Sequence, residues 1–373
     1  MAKKQIVLTI LGIGLALCSS AQVTTDKVLG PKHEVLIDSL KHTTYPYLLP
    51  IWGQKVKNKG FSMPLPVGAS VQYLWQESDI IINNLQVGFN HGPMYNMDDI
   101  VRIENAVTTT NGYNFRPDFY VFPFLNVYGI LAKSKTSTAI DAGLWIPDSS
   151  SSWKKISDFS TKADFNATTM GFGLTPMIGV GGFFFTLDMN FSWSDIDELE
   201  KPAYVFVLGP RLGKNIRLKK ERSIALWAGG FRVHMKSGTT GSLNVGELLP
   251  VAEWQQKVSG AQQKVGEAQG QVDTWWADLT PTEQKNPVNI AKHEAANAAL
   301  TKTGQVLNSV SQAVNSAGDA TVQYSLEKKP KDKWNFILGS QFQLTNNWML
   351  RVEYGFLSSR HQLIAGLQYR FGF

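Results

Sequence analysis

The final eleven residues constrain this chain more than any other stretch. Residues 363–373 read Leu-Ile-Ala-Gly-Leu-Gln-Tyr-Arg-Phe-Gly-Phe, with Leu363, Leu367, Tyr369, Phe371 and Phe373 on one parity. Gln362, Gly366, Gln368, Arg370 and Gly372 hold the other. Successive side chains of a strand point to opposite faces, so this strand has an apolar, aromatic face and a polar face. Lipid outside and water inside a closed barrel is the setting that suits it.

The start of the chain agrees. Lys3 and Lys4 precede an apolar run over 6–17, then Cys18-Ser19-Ser20-Ala21-Gln22. That is the layout of a secretory signal peptide cut after Ala21, too short to be a spanning helix. Leu17 before Cys18 argues against lipidation, which wants a small residue there. The mature chain then holds no cysteine, which excludes disulfides and thiol chemistry. Beyond the signal no apolar run reaches helix-spanning length. Net charge is +6 over the full sequence. The positive charge is scattered along an exported chain, so no nucleic-acid partner is implied.

Ten segments alternate with period two: 68–89, 116–122, 125–132, 166–174, 183–194, 204–211, 224–236, 334–344, 348–356 and 363–373. Residues 183–194 show the cleanest pattern, with Phe183, Phe185, Leu187, Met189, Phe191 and Trp193 opposing Thr186, Asp188, Asn190 and Ser192. With the C-terminus on the periplasmic side, the connections 123–124, 176–182, 213–221 and 345–347 are short. Most of the opposite set (90–114, 135–164, 195–201, 238–331 and 358–360) are long. Short periplasmic turns and long external loops are the outer-membrane asymmetry. A break at Asp79 would split the first strand and require one more from residues 30–60, making twelve the alternative.

The terminal strand, with Tyr369, Phe371 and Phe373 on its apolar face, resembles the C-terminal strand of bacterial outer-membrane β-barrel proteins. Pro123 to Gly129 (Pro-Phe-Leu-Asn-Val-Tyr-Gly) is similar to a hairpin turn of exported barrels. The resemblance implies an all-β transmembrane barrel in the cell outer membrane of a Gram-negative-type bacterium, surrounded by outer-membrane lipid. It makes Tyr369, Phe371 and Phe373 the signal for the barrel-assembly machinery. It implies a fold and no activity.

Between 238 and 331 the period changes. Val251, Trp254, Val258, Ala261, Val265, Ala268, Val272 and Trp275 are spaced three and four apart, an a/d seam. Thr280-Pro281-Thr282-Glu283 and Asn286-Pro287 read as stop and restart signals. Leu300, Thr303, Leu307, Val310, Val314 and Ala317 form a weaker second seam. The spacing predicts an α-helical hairpin, about 250–277 and 288–317, inserted in an extracellular loop and in need of support from a partner or the barrel mouth. It is either a cover for the mouth or a contact element for a surface protein or a second copy. Trp275 and Trp276 are the candidate contact residues, because adjacent residues on a helix cannot share one seam. The expected division is signal peptide 1–21, periplasmic lead-in 22–66, seven strands over 67–237, the loop 238–331, and three strands over 332–373.

The expected lumen residues are Gln72, Arg116, Asp118, Tyr120, Asp188, Asn190, Arg232, His234, Lys236, Gln341, Arg351, Glu353, Gln368 and Arg370. Ten strands leave little free width, so a narrow, sealed bore is expected; the alternative is a small selective or gated path for a polar or anionic solute, with the hairpin as lid. His234-x-x-Ser237 and Asp195-x-Asp197 have neither the spacing nor the partners of barrel hydrolases. No catalytic residue, cofactor or metal site is expected.

Overall fold

A computed structural model describes residues 25–147, 152–196, 202–219, 221–235, 238–244, 251–316, 320–357 and 359–373. The signal peptide, Lys236, Ser237, Asp197 and Ala317 lie outside the described residues. Ten long strands build the wall: β1 (Val67–Phe89), β2 (Val101–Phe122), β3 (Leu125–Pro147), β4 (Trp153–Val180), β5 (Phe183–Ile196), β6 (Ala203–Arg217), β7 (Ser223–Met235), β10 (Trp334–Gln343), β11 (Trp348–Leu357) and β12 (Arg360–Phe371). Two further strands, β8 (Gly238–Asn244) and β9 (Thr321–Pro330), lie between β7 and β10 in sequence.

Each wall strand pairs antiparallel with the next, and β12 returns to β1 with Arg360 opposite Ser78 and Phe371 opposite Val67. The circuit is closed, leaving no free edge in the barrel. Ten, and not twelve, is the strand number, because Asp79 does not break β1: it pairs with Val107 and its N–H donates to Ser359 O at 2.8 Å. The turn between β4 and β5 is Gly181-Gly182, with φ of 61° and 86°. Positive φ at both central residues makes the tight hairpin that matches strand twist, and glycine adopts it without steric cost.

The outward face carries the apolar band. Met170, Phe172, Ile178 and Val180 of β4 are exposed on one parity. From Met170 to Val180 is about 33 Å of strand, or about 25 Å of height at a tilt near 40°, the thickness such barrels present to lipid. Aromatic pairs stand on this surface, Trp348 against Tyr369 at 4.8 Å and Trp193 against Tyr204 at 5.4 Å.

Three strands overshoot this band. β2, β3 and β4 run for 22, 23 and 28 residues, against 12 in β12. Much of 90–114 and 135–164, expected as loops, is therefore paired strand, with Val101 opposite Leu144 and Trp145 opposite Lys155. The alternation is hard to see there because the outer face has become polar (Lys133, Lys135 and Asp141 on β3). The far half of β1 leaves β12 and pairs with β9, from Ile80 opposite Pro330 to Phe89 opposite Val322, and β9 pairs with β8. Asn84 takes φ of 53° where this ladder shifts register, which shifts the buried side of β1 from Ile80 and Ile82 to Leu85 and Val87. Asparagine is among the few residues that visit this conformation readily.

On this platform sits a helical hairpin, α1 (Val251–Asp278) and α2 (Pro287–Asn315). Thr280 and Glu283 form a reciprocal capping box between the arms, and Asn286 accepts from Val288 N at 3.0 Å. Val258, Ala261, Val265, Ala268 and Val272 are buried in one core with Leu300, Val306 and Leu307 of α2. That core continues into Ile140, Ala142, Leu144 and Ile146 of β3 and Ile80 of β1. The support the hairpin needs thus comes from the chain's own overshooting strands. Lys264 Nζ donates to Ile156 O at 2.7 Å, and Lys302 pairs with Asp99 at 3.0 Å. No described helix is long and apolar enough to cross a membrane.

Residues 25–66 pack along the opposite, short-turn rim. Asp26–Lys27 pairs with Gly179 and Val180 of β4. Ile51 N donates to Val121 O at 2.9 Å, and Leu48 N to Phe373 O at 3.1 Å.

Candidate functional site

The inward parity of the wall carries two charged clusters and an apolar cluster. In the first charged cluster, Glu353 of β11 accepts from Arg211 Nε at 2.9 Å, Arg211 Nη2 at 3.0 Å, Arg351 Nη2 at 3.0 Å and Trp227 Nε1 at 2.8 Å. Arg211 also pairs with Asp188, which accepts from the Thr175 hydroxyl. The Arg351 guanidinium lies 4.6 Å from the Trp227 ring. Five wall strands are tied together by this one cluster. A carboxylate buried this deeply is tolerable only when its lone pairs are satisfied by cations and donors, and Glu353 has four such bonds.

In the second cluster, Asp118 of β2 accepts from Arg370 Nη1 and Gln368 Nε2, both at 2.8 Å, and from Asn126 Nδ2 at 2.9 Å. Arg370 Nε donates to Leu65 O at 2.8 Å, joining the C-terminal strand to the segment that leads into β1. Between these groups Tyr128 donates to Asn190 at 2.6 Å, and the Arg116 guanidinium sits 3.8 Å from the Tyr128 ring. Gly173 leaves room for that ring, since a Cβ there would lie 2.1 Å from it. An apolar cluster completes the filling: Leu74, Ile130, Val205, Val207, Phe231 and Ile364 belong to one buried group.

Gln72, Arg116, Asp118, Tyr120, Asp188, Asn190, Gln341, Arg351, Glu353, Gln368 and Arg370 are all buried on the inner parity. Arg232 and His234 are not: they are exposed on the outer parity of β7, while Phe231 and Val233 face inward. Sequence parity misleads in β7 because the bore is itself apolar at that height, so the apolar face of the strand is the inner one. With His234 outward, and with Asp195 exposed on β5, no hydrolase-like constellation assembles among the described residues. Those residues also hold no group of metal-ligating side chains.

Arg211, Arg360 and Trp227 belong to the interior and were missing from the expected set. Carrying the Tyr204, Phe206, Leu208 alternation three residues further places Arg211 inward. Arg360 falls within the expected connection 358–360, yet it opens β12 and points inward, its Nε donating to Ser78 at 3.3 Å. Trp275 and Trp276 are both half-buried: His293 of α2 stacks on Trp276 at 4.2 Å and 8° and lies 6.4 Å from Trp275. The second arm thus partly covers the residues expected to offer a contact.

Above the lipid band, Lys328 of β9 is 1 % exposed, opposite Ile82. Burial pushes its amine well below the usual lysine range.

A closed circuit of ten antiparallel strands, apolar outside and with paired charges inside, is the architecture of a bacterial outer-membrane β-barrel, and this chain has it, with helices inserted. Its sequence matches no family model and no curated protein. Among solved structures it is similar to the translocator domain of the autotransporter NalP from Neisseria meningitidis, at 9 % identity and a TM-score of 0.30, covering 91 % of this chain and 94 % of that one. The beta domain of the Bordetella autotransporter Brka is similar at 9 % identity and a TM-score of 0.28, covering 82 % of this chain and 100 % of that one. A FadL homologue from Pseudomonas aeruginosa is similar at 8 % identity and a TM-score of 0.25, covering 82 % of this chain and 90 % of that one. Likeness at this level adds nothing to what the closure of the strands establishes.

Proposed function

We propose that this protein is an outer-membrane barrel with a closed bore, whose external helical hairpin serves as a cap and a surface contact element rather than as part of an enzyme. The observation that carries this reading is the cross-bore cluster of Arg211, Glu353, Asp188 and Arg351, buried together beside a continuous apolar group. Barrels of about eight strands are filled by their own side chains and open aqueous channels appear at about sixteen, so ten strands leave little free width. The packing of residues 25–66 on one rim and of the hairpin at the other supports the same reading. In this account the chain is exported by a signal peptide cut after Ala21 and folded by the barrel-assembly machinery, which reads Tyr369, Phe371 and Phe373. Residues 22–66 then lie in the periplasm and the hairpin outside the cell, where the hairpin's outer surface meets a surface protein or another copy.

One observation favours a second reading, a gated path for a polar or anionic solute with the hairpin as lid. Among the described residues the bore buries five arginines (Arg116, Arg211, Arg351, Arg360 and Arg370) against three carboxylates (Asp118, Asp188 and Glu353). Single-channel recording in a planar bilayer separates the two, with the full chain beside a 246–323 deletion. The closed barrel predicts silence from both, with folding verified independently. Steps only after deletion establish the lid. Discrete steps from the full chain overturn the closed bore.

A further inference from the structure

Where the hairpin meets the platform, the two do not close completely. A half-open pocket of about 250 Å³ remains between the arms and the strands, walled by Val87 of β1, Phe159 of β4, Leu326 of β9, Trp254 and Ala261 of α1, and Leu307 of α2. It is bounded by four wall strands, β9 and both arms, and its surface is almost wholly carbon. Among the described residues that line it, Lys257 is the one charged side chain, and it is already engaged in an interaction of its own.

From this chamber we infer a binding site for one small, uncharged, hydrocarbon-like molecule on the external side of the barrel. Two considerations carry the inference. The pocket opens to solvent, yet water gains little on its walls, because an ordered water needs two to four polar partners and these walls offer almost none. Finally, the chamber cannot hold a charged headgroup unaided, since its one cation is engaged, whereas an aliphatic or aromatic hydrocarbon meets only carbon. Trp254 and Phe159 sit in the wall with ring centroids 5.9 Å apart and planes tilted by 55°, giving two aromatic faces against which such a molecule can lie.

The inference needs the hairpin docked as a cap but does not need the bore closed. Conductance therefore tests the bore, and the following experiment tests the chamber. The full chain in lipid nanodiscs is titrated with 1-aminoanthracene, a neutral probe whose fluorescence rises in apolar surroundings, and then with decanol as competitor. Empty nanodiscs give the lipid background. Two variants fill the chamber from opposite sides, Ala261→Phe from the helix and Val87→Phe from the strand. Protease resistance of the hairpin reports whether each still docks.

The expected result is saturable binding of one probe per chain, reversed by decanol and weakened at least tenfold in whichever variant keeps its hairpin protected. Fluorescence that rises only linearly, as in empty nanodiscs, overturns the site. So does saturable binding that survives unchanged in a protected variant, or in the 246–323 deletion. If neither variant docks, the wild-type stoichiometry and decanol reversal decide: one displaceable probe that is lost with the hairpin upholds the site, and any other result ends it.

Discussion

The two halves of β3 are one strand in two environments. Up to Leu131 the outward residues are Leu125, Val127 and Leu131 and the inward ones Asn126, Tyr128 and Ile130. Beyond it the outward residues are Lys133, Lys135, Ala139 and Asp141, and the inward ones run from Ala132, Ser134 and Thr136 to Ile140, Ala142, Leu144 and Ile146. The backbone and the parity do not change. What changes is the medium on the outside, from lipid to water, and the occupant on the inside, from the bore's own side chains to the hairpin. The apolar face of a strand follows whatever is apolar beside it, so the crossing from outside to inside along β3 marks the upper edge of the membrane, close to Leu131 and Lys133.

Four substitutions break or sharpen this contrast. The largest effect is expected at Glu353→Ala, which takes the carboxylate from Arg351 and leaves Arg211 with Asp188 alone. Removing one partner of a buried pair costs about 3–5 kcal/mol, read as a fall in the urea midpoint of the folded barrel in detergent or nanodiscs. A midpoint unchanged within error would show the cluster to be solvated. Next come two arginines on the outer face. Phe172→Arg, within the band, should cost about 2–4 kcal/mol, and Ala139→Arg, above it, about 0–1 kcal/mol. Equal costs would erase the membrane edge drawn on β3.

The smallest effect concerns Lys328. Its folded-state pKa is depressed, so the unfolded chain binds the extra proton in the window between that lowered value and about 10.5. The stability of the folded chain should therefore rise with pH through that window, measured as an upward shift of the urea midpoint. Lys328→Met should be at least as stable and lose the dependence. Retention of the same slope in the variant would assign it to another group.

The strand number and the outward face were legible, because lipid imposes a strong apolar–polar contrast on strands such as β5 and β12. The bore was legible where that contrast holds, at Asp118, Asp188, Glu353 and Arg370. It was illegible at Arg232 and His234, where an apolar interior inverts the sign of the pattern. The overshoot of β2 to β4 was hidden for a related reason. Above the membrane the Thr108-Thr109-Thr110 run has similar polarity on both faces, and period-two reading has nothing to grip. The two arms of the hairpin followed from helical spacing and caps, which are local.

The sequence by itself determined a lipid-facing barrel of about ten strands, with twelve still open, carrying a helical hairpin, since local period and outward polarity are written residue by residue. Only the tertiary structure decided which side chains meet inside: that Arg211 reaches Glu353 from 142 positions away, that overshooting strands brace the hairpin, and that a cavity remains beneath it. Those depend on barrel closure and register, which bring distant residues together and leave no trace in the local pattern of any one strand.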